Sequence, residues 1–377
     1  SRAGDSIVFF TGLAALIAWF YRLTSRWLLP YLRFTQNQLN PIAHLHWALG
    51  SLFSLTCLLL PLSPSLTVLL LSIAIALTAY ALSLGRIPPP ASSLAPASPP
   101  SSGWTYAGIT EALLTLAYGL YEIIPNTSLL LEWSGVIASG IAVGMYALPW
   151  RQWGWAVRPW RNSAAVLPIL IVGLTGFSTA IPSLLIAAAF YAWYAKQTQR
   201  IRLSYFSVGL VDWAILRTVN EQGWFNLLWF GMVVGGSLLY VAHIDPALQT
   251  QSGREQRHLL RSIATGLVCL TALYQAEVDT GGTAIGIGVF TLALSIGLVF
   301  AGLLLRVRAY LYVGTATFVI RVLRWLWLFI NTYSFLLWAV GILLGLIFIW
   351  IAATFEARRN QVNTIVQYWS SELEQWE

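Results

Sequence analysis

Long apolar segments alternate with short polar connections along the whole chain. Because a helix needs about 20 mainly apolar residues to cross roughly 30 Å of hydrocarbon, each long segment is a candidate membrane span. The candidates are residues 7–21, 41–60, 65–84, 104–121, 129–148, 164–176, 181–195, 205–218, 224–241, 260–275, 282–305, 309–330 and 333–355. The pattern predicts an all-α fold, a polytopic transmembrane helix bundle of about 13 spans, several of them short.

The connections between these segments differ in charge. Most of the 21 Lys and Arg residues lie in every second connection, for example Arg151, Arg158 and Arg161. The intervening connections, such as 122–128 and 276–281, are acidic or neutral. Because basic loops of membrane proteins stay in the cytoplasm, this alternation predicts an integral membrane protein with a cytoplasmic C-terminus.

Composition supports a membrane location and excludes several other classes. Hydrophobic residues make up 58% of the chain and charged residues only 9%, whereas a soluble protein carries about 25% charged residues. Soluble enzymes, secreted disulfide scaffolds and disordered proteins are therefore excluded. The net charge of +7 does not indicate a nucleic-acid partner, because the basic residues are spread along the chain. Cys57 and Cys269 lie in apolar segments and are expected to be packing residues.

One connection divides the predicted bundle. Residues 85–103 are rich in Pro and Ser, which favours a loose linker, with a proline-based docking motif as the alternative. We expect a three-span N-terminal part (1–84), a ten-span bundle (104–355) and a cytoplasmic-side tail (356–377). The first residue is not Met, so we expect a piece of a longer protein, with processing as the alternative.

Two further patterns concern helix packing. The small-residue pattern G-x-x-x-G lets helices approach closely and predicts packing within the chain, or homodimerisation as the alternative. It occurs at Gly140/Gly144, Gly231/Gly235, Gly282/Gly286 and Gly341/Gly345. The stretch 149–161 interleaves four Trp with three Arg, which predicts a segment lying in the inner membrane interface.

Ionisable residues inside the predicted spans are the main functional candidates. They are Glu111, Asp212, Arg321 and Arg324. Because a charge at mid-membrane is costly, each is expected to face protein or water. We expect Arg321 to pair with Asp212 or Glu111, and Arg324 to extend toward the outer headgroups. A structural ion pair or arginines bound to lipid phosphate is one interpretation; a proton or anion pathway is the other.

Histidines provide a second set of candidates. His44, His46 and His243 map to the inner ends of spans, where a plain interfacial role is expected and ligation of haem or chlorophyll is the alternative. No cofactor is predicted beyond lipid, with chlorophyll, carotenoid or haem left open. The chain lacks a P-loop and the H-E-x-x-H, paired C-x-x-C and G-x-S-x-G motifs, so neither catalytic residues nor a metal site is predicted.

Two stretches carry a resemblance to a known group of proteins. They are AWYAKQTQRIRLSYFSVGLVDWAILR (192–217) and LRVRAYLYVGTATF (305–318), the second continuing to WIAATFEARR (350–359). They resemble the C-terminal parts of large uncharacterised polytopic membrane proteins of cyanobacteria, over about the last half of the chain. The resemblance implies a bacterial inner or thylakoid membrane and carries over no catalytic residues.

Two functions are expected from these observations. The first is a non-enzymatic scaffold, accessory or assembly subunit of a membrane complex, for which the resemblance suggests a cyanobacterial thylakoid or photosynthetic complex. The alternative is a transporter or lipid-handling protein that uses the buried Glu, Asp and Arg residues around a polar cavity. Membrane lipids and other membrane subunits are the expected partners, and nucleic acid is not. An enzyme acting on lipid-linked substrates through Asp212 and Glu111 ranks third.

Overall fold

A computed structural model describes residues 2–32, 36–86, 102–279 and 282–332, together with positions 342, 343, 345, 346 and 349. The fold is all-α, as predicted. In chain order the described helices are α1 (Arg2–Leu32), α2 (Gln36–Cys57), α3 (Pro64–Gly85), α4 (Ser102–Ile123), α5 (Thr127–Glu132), α6 (Ser134–Ala147), α7 (Val157–Thr175), α8 (Ile181–Thr198), α9 (Ser204–Glu221), α10 (Leu227–Ile244), α11 (Pro246–Gln249), α12 (Arg254–Val278), α13 (Gly282–Leu305) and α14 (Arg308–Thr332).

Each of the first twelve predicted spans coincides with helix, but the predicted number of membrane crossings is wrong. Among the described residues, seven helices are long and apolar enough to cross a membrane. The candidate spans are Gly4–Ser25, Pro64–Gly85, Val157–Ser178, Leu227–Ile244, Arg254–Val278, Ile285–Leu305 and Arg308–Ile330, of which Val157–Ser178 joins α7 to a short 3-10 turn, Gly176–Ser178. The thirteenth predicted span, 333–355, lies outside the described residues, as do the tail 356–377 and most of the linker.

Three of the predicted spans that fall short, in α2, in α9 and at 129–148, do so for identifiable reasons. Polar side chains, including His44 and His46, lower the apolarity of α2, and Asp212 and two further charged residues do the same in α9. The predicted span 129–148 is interrupted at Trp133, which leaves α6 with 14 residues. A pattern of apolar residues therefore located these helices, while length and polarity decide which can span a bilayer.

The chain forms two compact units, Ser1–Tyr194 and Ala195–Glu377. In the first unit α1 packs against α2 and α3, α3 against α4, and α6 and α4 against α7. Trp19 joins α1 to α3, because its indole N–H donates to the Ala76 carbonyl at 2.9 Å.

The predicted division of the chain into two parts at the linker 85–103 stays a prediction.

Three of the four indole rings of the Trp-rich stretch after α6 pack into the first unit, whereas Trp153 is exposed. Trp150 and Trp160 are buried, and their rings stack with centroids 3.4 Å apart. The indole N–H of Trp150 donates to the Met145 carbonyl at 2.6 Å, and that of Trp155 to the Leu82 carbonyl at 2.9 Å. These side chains therefore lock the turn onto the helices around it.

A proline in α7 is compensated by a tyrosine of α8. Pro168 cannot donate to the helix ladder and disturbs it locally. The hydroxyl of Tyr191 donates to the Ala165 carbonyl at 2.7 Å and accepts from the Ile169 N–H at 3.0 Å. One buried hydroxyl thus satisfies two backbone groups of α7 and attaches α8 to it.

In the second unit α12 is the central helix, and it packs against α10, α13 and α14. A Cβ added at Gly231 would overlap the Thr271 side chain, and one added at Gly235 would overlap Val268. This G-x-x-x-G pair of α10 therefore lies in a close helix contact within the chain, as predicted. Apart from the backbone of its own helix and its chain neighbours, no described atom lies within 4 Å of a Cβ added at Gly140, Gly144, Gly286 or Gly345.

Candidate functional site

Glu111 lies in the first unit, about midway along α4, and faces α2. The Ser51 hydroxyl donates to Glu111 Oε1 at 2.7 Å. The Trp47 indole N–H lies 3.2 Å from Glu111 Oε2 and 3.2 Å from the Leu77 carbonyl oxygen. Ser51 and Trp47 are four residues apart, so one face of α2 supplies both donors. A carboxyl group with a hydrogen bond to each oxygen can be accommodated away from water.

This carboxyl group lines a pocket formed by α2, α3 and α4 that is open on one side. The pocket has a volume of about 290 Å³. It is lined by Trp47, Ser51, Ser54, Leu55, Leu58, Leu70, Leu71, Ala74, Ala107, Thr110, Glu111, Leu114, Thr115 and Tyr118. Leu55 and Leu114 are 43% and 41% exposed, so apolar side chains at the pocket extend to the surface of the unit. An apolar pocket with a few convergent polar groups is the usual form of a small-molecule site.

An aromatic cluster adjoins the donor Trp47. Its ring lies 4.9 Å from that of Trp104, and the His44 ring lies 4.6 Å from Trp104 on another side. His44 Nδ1 is 3.0 Å from the Tyr80 hydroxyl, and the Arg22 guanidinium lies over the Tyr80 ring at 5.4 Å. His44 is thus held at Nδ1 by a neighbouring hydroxyl and packs among aromatic rings.

In the second unit, Arg321 and Arg324 of α14 share one carboxylate of α12. Arg321 Nη1 lies 3.1 Å from Glu277 Oε1, and Arg324 Nη2 lies 2.7 Å from Glu277 Oε2. The Arg321 side chain is 4% exposed, whereas those of Glu277 and Arg324 are 39% and 40% exposed. A Cβ added at Gly288 would overlap the Arg321 guanidinium, so this glycine of α13 provides the space that the buried cation occupies.

The predicted pairing of the charged residues is therefore corrected. Arg321 binds Glu277 rather than Asp212 or Glu111, and Arg324 binds the same carboxylate instead of extending alone toward headgroups. Asp212 of α9 accepts a hydrogen bond from the Ser237 hydroxyl of α10 at 2.5 Å. The reason is local: each charged side chain has a partner on an adjacent helix.

The other two predicted histidines differ from His44. His46 Nδ1 lies 2.8 Å from the Ile42 carbonyl oxygen of its own helix, and His243 is exposed near the end of α10. Within the described part of the chain, no group of three or more His, Cys, Asp or Glu side chains could hold a metal ion. Ligation of haem or chlorophyll by these histidines stays a prediction.

Several residues of these sites were missed from the sequence. Glu277 was assigned to an outer connection, whereas it lies near the end of α12 and pairs with Arg321 and Arg324 of α14. Gly288 carries no pattern that distinguishes it from other glycines. Ser51 carried a detectable signal, because a hydroxyl four residues after Trp47 places two donors on one helix face.

The fold and these sites define a class of protein rather than a particular member of it. The class is a polytopic α-helical membrane protein, because seven described helices are long and apolar enough to span a bilayer. No protein-family model, curated protein or solved structure matches the chain.

Proposed function

We propose that this integral membrane protein handles a small amphiphile, which binds in the pocket between α2, α3 and α4. The observation that supports the proposal is a half-buried polar anchor in a largely apolar pocket: Glu111 with its two donors Ser51 and Trp47. The leucines that line the pocket suit a hydrocarbon chain. Lateral access from lipid is consistent with the exposure of Leu55 and Leu114.

Among the expected functions, this is a narrower form of the lipid-handling alternative. The common polar cavity of that alternative required Glu111, Asp212 and the two arginines to act together. Their individual hydrogen-bond partners support instead a structural role for Asp212, Arg321 and Arg324. Glu111 differs from them because it lines a pocket large enough for a ligand.

Photolabelling can test the proposal. The protein would be reconstituted in lipid nanodiscs and exposed to an eight-carbon alkyl diazirine, and labelled peptides would be mapped by mass spectrometry. Label is expected on residues of α2 and α4 that line the pocket. The Ala107→Leu variant fills part of the pocket and should lose label there. Ala112→Leu is the matched control because Ala112 lies on the same helix outside the lining.

The outcomes separate a pocket from general lipid exposure. Label concentrated on lining residues and reduced only by Ala107→Leu would support the proposal. Label spread evenly over exposed leucines such as Leu52 and Leu59, with no difference between the two variants, would overturn it.

The second candidate function is a non-enzymatic scaffold or accessory subunit of a membrane complex. Two contacts favour it: the ion pair of Glu277 with two arginines and the close contact of α10 with α12 at Gly231. Both hold neighbouring helices together, as expected for a protein with a structural role. Native electrophoresis of the protein after mild solubilisation tests this function. Stable co-migration with other subunits is expected for a scaffold, and migration of the chain alone would contradict it.

A further inference from the structure

Glu111 retains hydrogen-bonding capacity that its protein partners do not use. A carboxylate has two oxygens with about four lone-pair sites. The structure gives each oxygen one side-chain donor, Trp47 at Oε2 and Ser51 at Oε1. An indole N–H can only donate, so Oε2 acts as an acceptor. A ligand that meets Glu111 in the pocket is therefore expected to donate hydrogen bonds to it.

The charge of the lining favours a cation over a neutral donor. Glu111 is its one acidic residue, and none of the lining residues named above is basic. Its other polar groups, such as Ser54, Thr110 and Tyr118, are neutral. A carboxylate away from water is stabilised most by an opposite charge that also forms hydrogen bonds. An ammonium group meets both requirements.

The volume of the pocket favours a small ligand. Pockets that bind small molecules measure about 300–1,000 Å³. At about 290 Å³ this pocket lies at the lower end of that range, which suits an ammonium head with a medium-length chain better than a larger lipid. The chain would lie against leucines such as Leu55, Leu70 and Leu114.

We propose that the pocket between α2, α3 and α4 is a binding site for medium-chain alkyl amines, with Glu111 as the acceptor for the ammonium head. The inference rests on the proposed function and adds the chemistry of the ligand. A primary alkyl amine has an ordinary pKa near that of Lys, about 10.4, so it is charged at neutral pH. Fatty acids are disfavoured, because their carboxylate would face that of Glu111.

Competition in the photolabelling experiment can test the head-group chemistry. Octylamine, octanol and octanoate would each be titrated against the alkyl diazirine in nanodiscs that contain the protein. Octylamine is expected to displace the label from the pocket with an affinity about tenfold or more above that of octanol, since a hydrogen bond to a charged group is stronger than one between neutral groups. Octanoate should compete more weakly than octanol.

Substitutions test whether Glu111 is the cause of the preference for octylamine over octanol. Glu111→Gln keeps the size of the side chain and should remove the preference for octylamine, while octanol competes as before. Asp212→Asn is the matched control, because Asp212 also accepts from a serine hydroxyl in a helix contact but does not line the pocket. It should leave the octylamine affinity unchanged. Ala107→Leu should weaken all three ligands.

The results distinguish the two levels of the proposal. If octylamine competes best in the unaltered protein and Glu111→Gln removes the preference, the inference is supported. If octanol or octanoate competes equally well, the ammonium assignment is overturned, although the pocket function stands. If none of the three compounds reduces the labelling of the pocket, both are overturned. Competition in the unaltered protein decides among these results even if Glu111→Gln fails to fold.

Discussion

Glu277 and Arg321 form an ion pair in the second unit, and we expect their substitutions to lower the stability of the protein by different amounts. Glu277→Gln leaves the Arg321 guanidinium, 4% exposed, without its counter-charge. Removing one partner of a fully buried pair costs about 3–5 kcal/mol. Because the Glu277 side chain is 39% exposed, water screens part of this effect, and we expect a loss of about 2–3 kcal/mol.

Arg321→Met should have a much smaller effect. Methionine retains an apolar side chain at the buried position and removes the charge that requires compensation. Glu277 keeps its contact with Arg324, at 2.7 Å to Nη2 and 2.8 Å to Nε. We therefore expect a change of about 1 kcal/mol or less. The double variant Glu277→Gln with Arg321→Met should be more stable than Glu277→Gln alone.

The measurement is the free energy of unfolding in mixed detergent micelles, followed by far-UV circular dichroism. Glu221→Gln is the matched control, because Glu221 pairs with Arg217 at 2.7 Å with a side chain that is 49% exposed. Such an exposed pair contributes about 0.5 kcal/mol or less. Equal losses for Glu277→Gln and Arg321→Met, or a larger loss for Arg321→Met, would refute the reasoning that a buried unpaired cation is the main cost.

Three further predictions use the same unfolding measurement. Gly231→Ala should destabilise the protein by about 1–3 kcal/mol, because the added methyl group overpacks the contact with α12. Gly140→Ala has open space around it and should stabilise the protein by up to about 1 kcal/mol through helix propensity. Equal changes in stability for the two variants would argue against a close contact between α10 and α12. Trp150→Phe should cost about 1 kcal/mol more than Trp160→Phe, because the indole N–H of Trp150 forms a hydrogen bond and that of Trp160 has no partner among the described residues. The reverse order would contradict this. The backbone N–H of Ala247 lowers the pKa of Asp245, helped by Arg202. The ionised Asp245 should therefore stabilise the fold above a pH of about 4, and this contribution should be lost as the pH falls below that value. In Asp245→Asn the loss of stability in acid should be smaller, and a pH profile identical to that of the unaltered protein would exclude the contribution.

The positions of the helices were predictable because they depend on local properties of the chain. A run such as 282–305 is apolar over its whole length, so it can satisfy its backbone hydrogen bonds only as a helix when it lies in lipid. The break at Trp133 was missed because the run 129–148 is apolar on average, although Glu132 and Ser134 beside the tryptophan are polar. Whether a helix can cross a membrane depends on the mean hydropathy of its residues. Polar residues in α2 and α9 therefore reduced the number of spans without changing where the helices lie.

The candidate site was only partly predictable. The position of Glu111 inside a predicted span marked it as a costly group that requires a partner, and this is a property of the segment alone. Ser51 and Trp47, some 60 positions earlier, became its partners because α2 packs beside α4. The positions of charged residues in the predicted spans suggested Asp212 or Glu111 as the partner of Arg321 and missed Glu277, because position in a span does not specify which helices are neighbours.

The amino-acid sequence by itself determined that the chain is helical and belongs in a membrane, since both follow from the distribution of apolar residues along short stretches of chain. Only the tertiary structure decided which charges meet and where a pocket remains. Electrostatic attraction and hydrogen bonding act over a few ångströms between residues that are far apart in sequence. Glu277 therefore neutralises two arginines, and Glu111 faces a space that a small amphiphile can occupy.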